Sequence, residues 1–320
     1  LLTTVRLWGQ RHWPARARWR VLTVLVLAAV LFGAGAITIA LTRSPARSGP
    51  SRGAQAGKSG TQAGHGGTPT PAAIRAAAAA RTAAAGWIAG QVSTDAIVSC
   101  DPQMCAVLEA HGIPAARLLP LGASNPDPLG SDLIVSTAAV RSEFGARLAS
   151  VYAPVVLASF GTGNAQTAVR VVASDGSAAY LRALRTDVAA RAAAGRQLLH
   201  NPRLHSSAAA RRALAAGQVD SRLLTVFAAL ATMYRVQVVD FSAPAPGASA
   251  GLPLRAADIA PAGPGTRQRP NTMASLARYL RNQLTPYQPE HITVVRLANG
   301  PPVLRVEYGA PSPLGLLGKG

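Results

Sequence analysis

Apolar positions along this chain follow three regimes. Residues 21–41 (VLTVLVLAAVLFGAGAITIAL) hold no charged side chain. As a helix this run would span about 30 Å, the thickness of a bilayer hydrocarbon core. Residues 44–71 then carry almost no large apolar side chain and are rich in Gly, Ser, Pro, Thr and Ala. Such a stretch buries too little surface to offset chain entropy and reads as a tether. From residue 72 onward, short apolar runs alternate with amphipathic ones. Helices are expected at 72–90, 102–111 and 138–150, and strands at 96–100, 117–121, 132–136, 155–159 and 168–173. That alternation predicts a mostly parallel sheet with helices packed on it. The second half predicts helices at 178–199, 207–216, from 221 onward and at 272–284. Its strands are expected at 235–241, 291–297 and 302–308, the last two joined at Asn299-Gly300, a hairpin signal. Leu223, Leu224, Phe227, Leu230 and Tyr234 fall at helical spacing and read as a core stripe.

The expected organisation is a cytoplasmic tail (1–20), a transmembrane helix (21–41), a linker (42–71), an α/β domain (72–175), a second α/β or α+β domain (176–310) and a flexible tail (311–320). Charge sets the orientation. Arg6, Arg11, Arg16, Arg18 and Arg20 precede the apolar run with no acid beside them, which places the N-terminus in the cytoplasm and the bulk outside. A cleaved signal peptide ending at Ala34-Gly35-Ala36 is the competing reading. The apolar run continues through Ile37, Ile39 and Leu41, which favours an anchor.

The formal net charge is +19, and the first 60 residues carry nine Lys/Arg and no Asp or Glu. A basic exterior suits anionic lipid or an acidic envelope polymer. Export, 5% aromatic content and the lack of a concentrated Lys/Arg stripe argue against nucleic acid.

Ser99, Asp101, Ser136, Thr137, Arg141 and Ser159 fall at expected strand C-termini, where open α/β sheets place ligand crevices. They are the candidate ligand-binding residues. Asp101 also reads as a helix N-cap followed by Pro at the first helical position. Cys100 and Cys105, the only cysteines, have C-x4-C spacing that completes no zinc site. In an exported chain they are a disulfide candidate, with two buried thiols as the alternative. No cofactor is expected. Gly53 to Ser59 is one residue short of a phosphate-binding loop and lies in the linker, and Gly161-Thr162-Gly163 lacks the third glycine of a dinucleotide fingerprint. His200 and His205 are separated by Asn201-Pro202 and share no helical face.

Two resemblances add to this reading. Gly86-Trp87-Ile88, residues 92–98 (VSTDAIV), residues 131–137 (SDLIVST), Arg141 and residues 158–163 (ASFGTG) resemble the soluble C-terminal domain of actinobacterial family 39-like membrane glycosyltransferases. Those enzymes catalyse in a many-helix membrane region, which a chain with one expected span lacks. Asn201-Pro202-Arg203, Val219-Asp220, Arg222-Leu223-Leu224 and residues 255–259 (RAADI) resemble a D-Ala-D-Ala carboxypeptidase-like domain. In that family a zinc-binding His and an Asp act as ligands. Asp258 matches the Asp, but Gly251 stands at the His position, so no metal site is expected. The resulting expectation is a single-pass envelope protein with a binding or accessory role, beside a cell-wall or glycan-assembly membrane protein. The alternative is an envelope hydrolase or transferase acting on a cell-wall saccharide or peptide at the domain interface.

Overall fold

The computed structural model describes residues 70–242, 245–263, 270–297 and 300–318. The expected tail (1–20), membrane segment (21–41) and nearly all of the linker (42–71) lie outside them. Among the described residues no helix is long and apolar enough to cross a membrane. Two five-stranded sheets carry helices against them in an α/β arrangement.

Helix α1 (Pro71–Gln91) starts where Thr70 accepts a hydrogen bond from the Ala73 amide at 3.2 Å and Pro71 needs no donor partner. Its buried side chains, Ala80, Ala84, Ala85, Trp87 and Ile88, recur at helical spacing. The first sheet follows: β1 (Val98–Cys100), α2 (Pro102–Ala110), β2 (Leu118–Pro120), β3 (Leu133–Ser136), α3 (Ala138–Phe144), β4 (Val155–Phe160) and β5 (Thr167–Val171). The strand order is β2-β1-β3-β5-β4. Leu133 and Val135 enter the core formed with α1 and α2, while Ile134 between them enters a second core with Val140, Phe144 and Tyr152. This period-2 division shows β3 covered on both faces. Strands β1, β2 and β3 are parallel, and β5 runs antiparallel to both β3 and β4. The short connection at 161–166 between β4 and β5 leaves no room for a helical crossover, so this pair is a hairpin. Helix α3 is shorter than the expected 138–150. Gly145, at φ +53°, ends it, and a π-helical turn (Leu148–Tyr152) follows.

The second sheet comprises β6 (Leu204–Ser206), β7 (Val236–Ser242), β8 (Ala256–Pro261), β9 (His291–Arg296) and β10 (Pro302–Glu307) in the order β6-β7-β8-β10-β9. Only β6 and β7 pair in parallel. Its helices are α4 (Ser177–Leu199), α5 (Ala208–Ala215), α6 (Ser221–Met233) and α7 (Pro270–Arg281). Leu223, Leu224, Phe227 and Leu230 are buried together in one hydrophobic cluster. Helices α4 and α5 meet at Gly195, where a Cβ would lie 2.1 Å from the Leu214 carbonyl oxygen. Only glycine permits that approach.

Strands β6 and β8 had no counterpart in the sequence pattern. β8 reads AADIAP, in which every residue but Ile259 is of a type depleted in strands. It lies between β7 and β10, and five of its six residues are buried. Small side chains fit there, and its one charge is matched because Asp258 faces Arg305 in register.

Backbone contacts join the two sheets. Ser159 N–H donates to Gly247 O at 2.9 Å and Ser249 N–H to Leu157 O at 2.8 Å, so the loop after β7 lies along β4. Ala310 donates to Gln91 O at 2.7 Å and accepts from Ser93 N–H at 2.8 Å. The stretch expected as a flexible tail is anchored by side chains. Ser312 Oγ donates to Asp220 at 2.6 Å and Gly315 N–H to Asp187 at 3.0 Å. Residues 66–320 form one compact unit whose buried apolar residues begin at Ala80. That unit therefore carries its own core and folds without the preceding segment.

Candidate functional site

The strand-end candidates divide into three places. Asp101 and Thr137 meet. Asp101 Oδ1 accepts from the Gln103 and Met104 amides at 3.1 Å each, capping α2, and Oδ2 accepts the Thr137 hydroxyl proton. Thr137 in turn caps α3. Arg141 donates to the carbonyl oxygens of Ser136 (3.1 Å), Gln166 (2.6 Å), Gly163 (3.5 Å) and Asn164 (3.1 Å), clamping the β4–β5 connection. Ser99 is buried and donates to Ser131 Oγ at 2.6 Å on the strand itself. Ser159 belongs to the β4–β5 pairing and its amide bonds to Gly247. The structure thus gathers Asp101, Ser136, Thr137 and Arg141 and leaves Ser99 and Ser159 apart. Cys100 and Cys105 are joined as a disulfide with Cα atoms 5.4 Å apart, closing the turn that holds Asp101.

A different cluster lies where α1, the second sheet and residues 308–312 meet. Asp220, fully buried, receives Arg222 Nε at 3.0 Å and Nη2 at 2.9 Å, and also the Ser312 hydroxyl. Burial alone would raise the Asp220 pKa. The hydrogen bonds and charge of Arg222, helped by Ser312, outweigh it and hold the carboxyl below its usual value. Arg222 also donates to Gly309 O at 2.8 Å and stacks over the Tyr308 ring, 4.8 Å from its centroid. Burial pushes the Tyr308 hydroxyl up strongly. Gly309 admits no side chain, since a Cβ there would lie 2.3 Å from Glu290 Oε1 and 2.5 Å from Ser93 N.

Arg255 completes this cluster and differs from its neighbours. The buried Arg191 and Arg222 pair with Asp187 and Asp220 at 2.8 and 2.9 Å, and Arg305 pairs with Asp258 at 2.8 Å. Arg255 is 7% exposed, yet among the described residues its hydrogen bonds end on neutral oxygens: Gln91 O at 3.0 Å, Tyr308 O at 2.8 Å and Gln91 Oε1 at 3.3 Å. Burial lowers its pKa, partly offset by the more distant charges of Asp220, Glu290 and Glu307. Arg255 also lines two cavities. One, of about 230 Å³, has a lining of mixed polarity that includes Gln91, Glu290, His291, Arg305 and Glu307. The other, of about 200 Å³, is mostly apolar, with Val155, Leu157, Tyr180 and Leu252. Burial, and then the charge of Asp187, pushes the Tyr180 hydroxyl up to about 12.

Both carboxylate oxygens of Asp258 are taken by Arg305 at 2.8 Å, so this residue is not free to ligate a metal. Among the described residues, no three His, Cys, Asp or Glu side chains group as metal ligands. Sequence reasoning did not select Arg255, Glu290 or Glu307 as site residues. The available signal was a lone arginine entering a run of small apolar residues, Arg255-Ala256-Ala257, that becomes a buried strand.

No family model, curated protein or solved structure matches this chain.

Proposed function

We propose that this chain is a membrane-anchored binding or accessory protein of the cell envelope, held by residues 21–41 and taking its ligand at the junction cavity. Arg255 is the observation that carries this reading. Among the described residues this buried guanidinium hydrogen-bonds to neutral oxygens and makes no direct ion pair, which an incoming anion can supply. Glu290 and Glu307 on the same cavity wall accept hydrogen bonds from hydroxyl or ammonium groups. The fitting ligand carries an anionic group and hydrogen-bond donors, as an acidic saccharide or a short peptide of the envelope does. A neighbouring cell-wall or glycan-assembly membrane protein is the partner that the sequence resemblance suggests.

Calorimetric titration of residues 66–320 tests the ligand class. The probes are a neutral disaccharide, a uronate-containing disaccharide and a tripeptide with a free carboxylate. Binding of an anionic probe alone, weakened about tenfold or more by Arg255→Lys with the fold retained by circular dichroism, is expected. Equal binding of the neutral sugar, or full affinity in R255K, would overturn the assignment. The anchor is tested separately. Protease added to intact spheroplasts should digest the folded unit, and its full protection would refute the topology.

A further inference from the structure

The helical layer over the second sheet stops short of the sheet's edge. Strand β9 is the outermost strand, and its Val294 faces Leu304 of β10 in register. The two residues share one face of the sheet, yet Leu304 is 1% exposed and Val294 is 64% exposed. The same face is therefore covered over β10 and bare over β9. Between this bare face and α7 runs a groove of about 530 Å³. Its apolar lining includes Met273, Ala277, Ile292 and Val294, and Arg278 and Arg281 stand beside them. Arg296, exposed, lies two residues beyond Val294 and so on the same sheet face. No Asp or Glu among the described residues lines the groove. Among the described residues none of these three arginines forms a salt bridge. Leu284, just past α7, is 82% exposed. The junction cavity is elsewhere, on the opposite face of β10 with Arg305 and Glu307.

We infer that this face rests on an anionic phospholipid bilayer. Arg278, Arg281 and Arg296 would meet lipid phosphates, while Val294 enters the interfacial layer. Charge complementarity selects this occupant. A second copy on the same face would set arginine against arginine. An uncharged apolar helix would leave three cations unmatched. A soluble acidic polymer would match the cations but leave Val294 bare. The inference extends the envelope reading and does not need residues 1–69, because the folded unit itself supplies the contact.

Co-sedimentation of residues 66–320 with vesicles is the test. One set is phosphatidylcholine alone, and the other contains about one-third phosphatidylglycerol. Binding to the second set alone, weakened by salt, is expected. Each arginine near an anionic surface contributes about fivefold, so R278E/R281E/R296E should lose about a hundredfold or more. Val294→Asp should weaken binding further, and circular dichroism should confirm that each variant is folded. The control R182E/R185E changes two exposed arginines on α4 and should retain most binding. Equal binding to neutral vesicles, no binding at all, or an equal loss in the control would overturn the inference. Binding of soluble polyglutamate as tight as the vesicle binding, abolished by the same triple variant, would overturn it in favour of an acidic polymer.

Discussion

At the strand ends of the first sheet, Asp101, Thr137 and Arg141 spend their hydrogen bonds on nearby backbone and on one another. At the junction, Asp220, Arg222 and Arg255 do similar work with buried charge. The difference lies in what surrounds each group. Asp101 and Arg141 keep partial contact with solvent, while Asp220 and Arg255 are enclosed. Enclosure makes the match between charges decisive, because an unmatched charge in a low-dielectric interior has no water to fall back on. Position at a strand C-terminus therefore points less directly to a ligand than an incomplete charge balance does.

The largest expected effect separates the two clusters by stability. Asp220→Ala leaves Arg222 buried without its carboxylate and frees the Ser312 hydroxyl. Breaking a buried pair from one side costs about 3–5 kcal/mol. Urea unfolding of residues 66–320 should show that loss as a lower midpoint with an unchanged slope. A loss below about 1 kcal/mol would mean that water reaches Arg222 and that the two clusters are alike.

The same pair predicts a pH response. The folded pKa of Asp220 lies below its ordinary value of 3.8. Its stabilising contribution is therefore complete above that value and is lost as pH falls through the lower folded value. Tyr180 acts at the other end. Its hydroxyl is raised from 10.0 to about 12, so its contribution is complete below pH 10 and lost as pH rises toward 12. Thermal unfolding against pH should show both limbs, and Asp220→Ala should flatten the acid limb alone.

The disulfide acts at the strand-end cluster. Replacing Cys100 and Cys105 by Ala should cost about 2 kcal/mol, the value for so short a closed loop. Reduced and oxidised protein compared in urea should differ by a similar amount. The junction-cavity ligand should bind equally well to both forms. A loss of affinity on reduction would draw the first sheet's strand ends into the site.

Legibility in the sequence follows the same physics. All five strands of the first sheet stand close to where periodicity places them, because each carries β-branched or Leu residues between clear turn and cap signals. In the second sheet, β8 escapes notice because all of it but Ile259 is Ala, Asp or Pro. Its place is fixed by its pairing with β7 and β10 on either side, which its own residue types do not announce. The capping role of Asp101 is local and could be read directly from Asp-Pro. The exceptional position of Arg255 could not, because its partners Gln91 and Tyr308 are 164 and 53 residues away.

The smallest effect is the sharpest test of the comparison. Asp101→Ala removes the acceptor for two amides of α2 and should cost about 1 kcal/mol, the usual value of an N-cap. Asp101→Asn should restore nearly all of it. The amide oxygen can take the place of Oδ1 toward Gln103 and Met104. The amide nitrogen can donate to Thr137 Oγ1, which then accepts instead of donating. No charge is lost that a neighbour needs, since Asp101 pairs with no cation among the described residues. At Asp220 the same replacement should fail, because Arg222 needs a carboxylate and a neutral amide leaves its charge uncompensated. Paired unfolding curves for Ala and Asn at each position give the answer. Recovery at residue 101 with none at residue 220 is expected. Equal recovery at both would mean that charge matching contributes nothing at the junction beyond ordinary hydrogen bonding.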